Sequence, residues 1–344
     1  MQRSYKGADG VRGLACLLVL LAHAPGFFVP SLAPYFSGTG KFGVWLFFVL
    51  SAFLLTNKFE RTGFGFSAIS AYGVGRVLRI IPIFSLVVVL CYFVGAAGIN
   101  NYGDVGAALA FQKGYAHLWT IPVEFKFYFL LPVFAYCLIS VKRIFGHGGA
   151  LLVAVFMIAA TQFIWPFWLT PENSIDTHWY LPSFIIGCYA AVSMDVFRTI
   201  VKGAVADAMA ALALCAVILL TPFFRNLLFQ MPIDGWLQNK FIMLSLIWCV
   251  FLVAVAEGSG FFGGVMKSLV LRKLGAWSFS IYLIHWVVYG FLASNNLNGF
   301  VWLVVGVLSS ITAGALMYML IESNIENIRH SIQVRMARQN MLEK

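Results

Sequence analysis

Charge is what this sequence has least of. Only 13 of its 344 residues are carboxylates and 23 are lysine or arginine, leaving a chain that is 10% charged, 61% hydrophobic and of mean hydropathy +0.88. A water-soluble globule is excluded, because too few polar side chains remain to cover its surface. The formal charge of +10 sits in short loops between apolar runs, so membrane orientation accounts for it and no nucleic-acid partner is expected. The six cysteines (Cys16, Cys91, Cys137, Cys188, Cys215, Cys249) fall in six different apolar segments, with no CxxC and no Cys/His ligand spacing. That pattern predicts free, buried thiols and no metal site. No linker between apolar runs exceeds about 20 residues, no internal repeat of the transporter kind is present, and no flanking soluble domain is expected. One membrane domain over 1–324 is expected, followed by a basic tail over 325–344 that either lies on the inner leaflet or is simply solvated.

What is present is a series of apolar runs long enough to cross ~30 Å of hydrocarbon. They lie at about 11–29, 42–57, 80–98, 116–140, 149–166, 178–194, 204–224, 241–256, 276–293 and 300–321. The expected fold is therefore all-α and polytopic, with about ten transmembrane helices and both termini cytoplasmic. Placing the N-terminus inside puts eighteen basic residues, from Arg3 to Lys344 and including Arg335 and Arg338, in the cytoplasm. Only Lys41, Lys113, Arg225 and Lys240 are left outside, and Lys126 alone falls within a span. A miscounted helix would have scrambled that bias. The first run imitates a signal peptide ending at Ala22-His-Ala24, but Pro25 directly after the supposed cut disfavours cleavage, so a retained first helix is expected.

Within these runs a few residues do not belong in lipid. Arg12 and His23 are eleven residues apart, close to three helical turns, so they share a face with His23 roughly 16 Å along the axis from Arg12. An intramembrane histidine needs a cavity or a polar partner, which makes His23 a functional candidate; helix packing through a neighbouring carbonyl is the bland alternative. Arg76 and Arg79, at i and i+3, present two forked guanidiniums on one face, suited to a phosphate or else to ordinary positive-inside anchoring. Glu124 lies roughly 10 Å below the outer end of its span, at a depth comparable with that of His23. Lys126 points from a different face, so a partner for Glu124 is expected on another helix. Pro122 is expected to bend this span. His285 is a second mid-depth histidine, with Tyr282 three residues before it on the same face. Glu322, at the inner end of the last span, is expected to be solvated. Trp119, Trp179 and Trp302 are placed in an interfacial belt or a sugar-stacking surface.

Five of these stretches, in this order, resemble the acyltransferase-3 family of integral membrane enzymes. They are Asp9-Gly-Val-Arg12 with ten residues to His23, Gly43 to Leu55, Arg76-Val-Leu-Arg-Ile-Ile-Pro82, Leu118 to Tyr128 with Glu124, and Ser278 to His285. The resemblance runs from Asp9 to about Glu322. This chain has Trp45 where the family commonly has an acid, Ala52 for a glycine and Phe125 for a second glutamate, and lacks a proline at Val287 or Val288. Some members carry a C-terminal esterase-like domain, and the expectation here is the form without one.

The resemblance implies a plasma (inner) membrane O-acyltransferase that moves an acyl group, expected to be acetyl, from cytoplasmic acyl-CoA to a hydroxyl of a cell-surface or exported carbohydrate. Acetyl-CoA would be a co-substrate, with no permanently bound cofactor. In that scheme Arg12, Arg76 and Arg79 hold the phosphates of the donor, and its thiol arm reaches toward mid-membrane. His23 acts as general base with Glu124 orienting it, while His285, Tyr282 and Tyr128 support or orient substrate. The rival from another class is a proton-coupled transporter using His23, Glu124 and His285; ordered family motifs and missing repeats weigh against it.

Overall fold

The computed structural model describes residues 5–342, with side chains as far as 333. Arg3 and Lys344 lie outside the described residues, as do the side chains of Arg335 and Arg338. The described residues form helices joined by turns and short loops, with no strand among them. In order, the helices are α1 Ala8–Phe28, α2 Gly40–Thr62, α3 Phe66–Val94, α4 Tyr102–Leu109, α5 Thr120–Ile164, α6 Thr177–Val192, α7 Met194–Ile200, α8 Gly203–Leu219, α9 Pro222–Phe229, α10 Phe241–Val255, α11 Gly260–Met266, α12 Leu269–Ser294, α13 Phe300–Met317 and α14 Ser323–Leu342. Among the described residues six stretches are long and apolar enough to cross a membrane, or up to nine if each of three bent pairs is one span. The pairs are α6 with α7, bent by 64°, α8 with α9, by 81°, and α10 with α11, by 92°.

Ten spans were expected where nine are counted, and the difference lies in α5. Gly146 inside it has φ +70° and ψ −169°, a conformation that breaks the helical path and suits only glycine. Unbroken, 45 residues would run for roughly 68 Å, more than twice the hydrocarbon thickness, so the two halves stand where spans at 116–140 and 149–166 were expected. Pro122 does not bend this helix: it lies in its first turn, where a missing N–H costs nothing.

Apolar side chains face outward as well as inward. Phe129, Val133, Phe156 and Phe163 on α5 are 70, 68, 72 and 91% exposed, a patch that is an aggregation hazard in water and an ordinary lipid-facing surface in a bilayer. Cys215, expected to be buried, belongs to the exposed set. α2 is the central helix, with 78% of its apolar window buried, and packs on α1, α5, α6 and α10.

Between α1 and α12 the backbones themselves touch. A Cβ on Gly13 would fall 2.2 Å from the Leu271 carbonyl oxygen and one on Gly275 1.8 Å from that of Asp9, while at the end of α11, just before α12, a Cβ on Gly10 would fall 1.8 Å from the Met266 carbonyl oxygen. Such contacts join helices in lipid, where apolar side chains gain little by leaving hydrocarbon. Gly275→Val is expected to force the two helices apart and lower stability by at least about 3 kcal/mol, since overpacking a fitted contact costs roughly 1–3 kcal/mol even without a backbone clash. A melting curve of the purified protein in detergent checks this, and an unchanged midpoint would contradict it.

The expected tail is the helix α14, which follows α13 through a π-helical turn, Tyr318–Glu322. As far as Gln333 it is not simply solvated, because it packs on α3 and Gln333 Nε2 donates to the Ala71 carbonyl oxygen at 2.8 Å.

Candidate active site

α1, α2, α3, α5 and α12 enclose a cavity of about 160 Å³ whose polar lining comprises Arg12, Ser51, Arg76, Arg79, Thr120, Glu124, Tyr128, Ser278 and Tyr282. Six residues singled out in the sequence meet there. Arg76 and Arg79 share a face because they are three apart on α3, which begins at Phe66, well before the apolar run that marked it. Arg12 projects from the first turns of α1 at the same end. The three cations have few anions beside them: Arg12 reaches Asp9 at 3.7 Å and Arg79 reaches Glu326 at 3.6 Å. Arg76 Nε is buried without a partner, and its guanidinium lies 5.5 Å from the centre of the Tyr128 ring.

Glu124 lines the cavity farther along. Its partner is on its own helix, not another: Tyr128, one turn on, donates its hydroxyl to Glu124 Oε1 and lies 3.0 Å from Ser51 Oγ of α2. Glu322 also departs from expectation. It is 2% exposed, accepts from Ser280 Oγ at 2.5 Å, and leaves Oε1 without a partner.

His23 and His285 do not line the cavity. They lie one helical turn beyond its rim, in a cluster with His117: Gly40, His117 and His285 are four, three and three residues from the rim residues Val44, Thr120 and Tyr282. The layer between is Tyr282, whose hydroxyl donates to the His117 carbonyl oxygen at 2.6 Å and sits 2.8 Å from Thr120 Oγ1.

The hydrogen bonds of this cluster assign its tautomers. A carbonyl can only accept, so His285 Nδ1, 2.6 Å from the Tyr282 oxygen, carries a proton. In the neutral ring Nε2 then holds a lone pair, and it lies 3.1 Å from His23 Nδ1, which must be the donor. His23 Nε2 is left with its lone pair free. The arrangement copies the logic of a catalytic triad, with a histidine and a carbonyl in place of the carboxylate. His23 Nε2 faces the start of α2, where a Cβ on Gly40 would come within 2.7 Å of it. Any side chain at Gly40 would crowd that nitrogen.

His117 was missed by the sequence reading. It is 3% exposed, donates from Nε2 to the Leu283 carbonyl oxygen at 3.1 Å, stacks on Trp286 with ring centres 5.3 Å apart, and has no partner for Nδ1. Trp119 is no interfacial residue: it is 4% exposed, packed against Trp45 and Tyr180. Trp45 itself, where the family commonly has an acid, is fully buried with Nε1 unpartnered.

Three guanidiniums line one end of a cavity in a multi-pass helical bundle, and a cluster of histidines lies beyond its other end. A family model described as an acyltransferase domain matches residues 5–319, and the chain belongs to that family, acyltransferase 3. Among curated relatives, a Staphylococcus aureus strain COL protein whose O-acetyltransferase name is provisional is 24% identical over 337 residues, 86% of this chain and 52% of its own length. The O-acetyltransferase OatA of S. aureus strain NCTC 8325 is 24% identical over 333 residues, with the same shares covered. The chain thus spans about half the length of these relatives. No solved structure matches it.

Proposed function

We propose that this chain is a plasma-membrane O-acetyltransferase that moves an acetyl group from acetyl-CoA, bound at the arginine end from the cytoplasm, to a hydroxyl of a cell-surface or exported carbohydrate. The single observation that carries the reading is the cavity itself: three convergent guanidiniums at one end, and at the other a rim one turn from a histidine whose tautomer is set for a base. The positive-inside pattern supports a cytoplasmic arginine end. The relatives' names support O-acetyl transfer.

Arg12, Arg76 and Arg79 grip the phosphates of the donor, and the thiol arm lies along Glu124 and Tyr128, over a distance comparable with the roughly 16 Å rise from Arg12 to His23. The thioester arrives beneath Tyr282, which has to yield, and the acceptor comes in over Gly40. His23 Nε2 takes the proton of the acceptor hydroxyl as its oxygen attacks the thioester carbonyl carbon. The C–S bond then breaks, and the proton passes from His23 to the departing CoA thiolate, leaving ester and free thiol. His285 compensates the positive charge on His23 by accepting from its Nδ1.

A second reading makes Glu124 the base, because Glu124 lines the cavity and His23 does not. Release of CoA from acetyl-CoA by purified protein, with a carbohydrate acceptor, separates the two. Glu124→Gln, which keeps the hydrogen bond from Tyr128, is expected to retain at least about a tenth of wild-type kcat, since a lost general base costs roughly 10²–10⁴-fold. A loss as large as that of His23→Ala would transfer the role to Glu124. No CoA release by folded wild-type protein, under any acceptor, would reject the acetyltransferase reading.

A further inference from the structure

The arginine end has a contributor that the family resemblance does not supply. α14 lies across α3 at Gly75, where a Cβ would meet Gln333 Nε2 at 2.5 Å and Arg329 Cδ at 3.7 Å. This brings Arg329 over the residue next to Arg76. Arg329 Nη2 and Arg79 Nη1 approach the same carboxylate oxygen, Glu326 Oε1, at 3.5 and 3.6 Å. Charge-assisted pairs normally close to about 2.7–2.9 Å, so one carboxylate is shared loosely between two guanidiniums. Its other oxygen is 3.4 Å from the Tyr318 hydroxyl. Arg329 Nε and Arg76 Nε are both buried without partners. Donors exceed acceptors here, and a buried donor without an acceptor carries a desolvation penalty.

We infer that Arg329 is a fourth phosphate-binding residue of the donor site, and that Glu326 is the internal anion which holds Arg79 and Arg329 until a phosphate of the donor takes its place. A phosphate offers three acceptor oxygens where Glu326 Oε1 offers one, enough to engage Arg76, Arg79 and Arg329 together. Arg12 stands farther round the cavity, and the π-helical turn that carries Glu322 leads into α14, whose Glu326 and Arg329 lie outside the lining but in reach of Arg79. The inference rests on the acetyl-CoA reading above. The same phosphate chemistry would suit the headgroup of an anionic lipid, which the test separates.

The experiment is acetyl-CoA binding by calorimetry to wild type, Arg329→Gln and Glu326→Gln, each first shown to keep the wild-type melting temperature within a few degrees. The proteins are held in nanodiscs of phosphatidylcholine alone and again with phosphatidylglycerol added. Arg329→Gln is expected to weaken binding roughly tenfold, the loss of one charge-assisted contact, whereas Glu326→Gln tightens it several-fold because the competing anion is gone. Opposite signs from two substitutions on one helix turn cannot come from a damaged fold. Wild-type affinity in Arg329→Gln, or weakening by both variants, would overturn the role of α14 and leave the acetyl-CoA reading standing. Absence of binding to folded wild type would reject that reading and this inference together. Phosphatidylglycerol that weakens acetyl-CoA binding to wild type but not to Arg329→Gln would give Arg329 to lipid and overturn the assignment.

Discussion

Replacing His23 by alanine is expected to lower acetyl transfer roughly 10³-fold while leaving acetyl-CoA affinity within about twofold of wild type, as loss of a general base should. The reason is the hydrogen-bond chain that ends at its free Nε2: Tyr282 carbonyl, His285, His23. Because the two histidines touch each other and no carboxylate, His285→Ala should be costly too, but less so. It removes the group that fixes the tautomer and keeps the base, and a fall of roughly 10–100-fold with a shifted pH profile is the expected pattern. Single-turnover transfer with labelled acetyl-CoA measures both. Full activity in His23→Ala would remove the histidine from the chemistry.

The second large effect belongs to the arginines. The double substitution Arg76→Ala with Arg79→Ala is expected to weaken acetyl-CoA binding by at least roughly 100-fold, since each charge-assisted contact contributes about 1.5–3 kcal/mol and the two share one ligand. Binding to wild type should fall steeply as salt rises, and binding to the double variant much less so. Calorimetry across a salt series reads both, with His23→Ala as the control that keeps its affinity. Equal salt dependence in wild type and double variant would mean that these guanidiniums serve only to orient the chain in the membrane.

Most of the cavity was legible because ionisable residues stand out in apolar runs. Arg12, Arg76, Arg79 and Glu124 are visible against leucine and phenylalanine, and helical spacing alone puts the two arginines of α3 on one face. Partners on other helices were not legible, because they depend on which helices meet. Glu124 and Tyr128 are four apart on α5 and share a face, so that pairing was open to the spacing and was passed over for a partner on another helix, whereas nothing in the sequence says that His285 would reach His23 from 262 residues away. His117 was lost for a different reason: it opens the expected span at 116–140, where a histidine at the outer end draws no notice, yet it lies in a buried 3-10 turn. Glu322 was misjudged by a rule that is right on average, since charges at the inner end of a span are usually solvated. Here the π-helical turn and α14 fold that end back over α3.

The glycine contacts between α1 and α12 reach beyond stability. Two helices that meet backbone to backbone have no side-chain layer to slide on, so they answer to the bilayer as one body. When acyl chains are lengthened or shortened, helices tilt to match the new thickness, and those joined through softer side-chain contacts shift most. α3, with Arg76 and Arg79, is free to do so, whereas the separation of His23 from His285 is tied to the α1–α12 contact. Activity across membranes of different thickness should therefore change through the grip on the donor, as KM, with kcat at saturating acetyl-CoA held nearly constant.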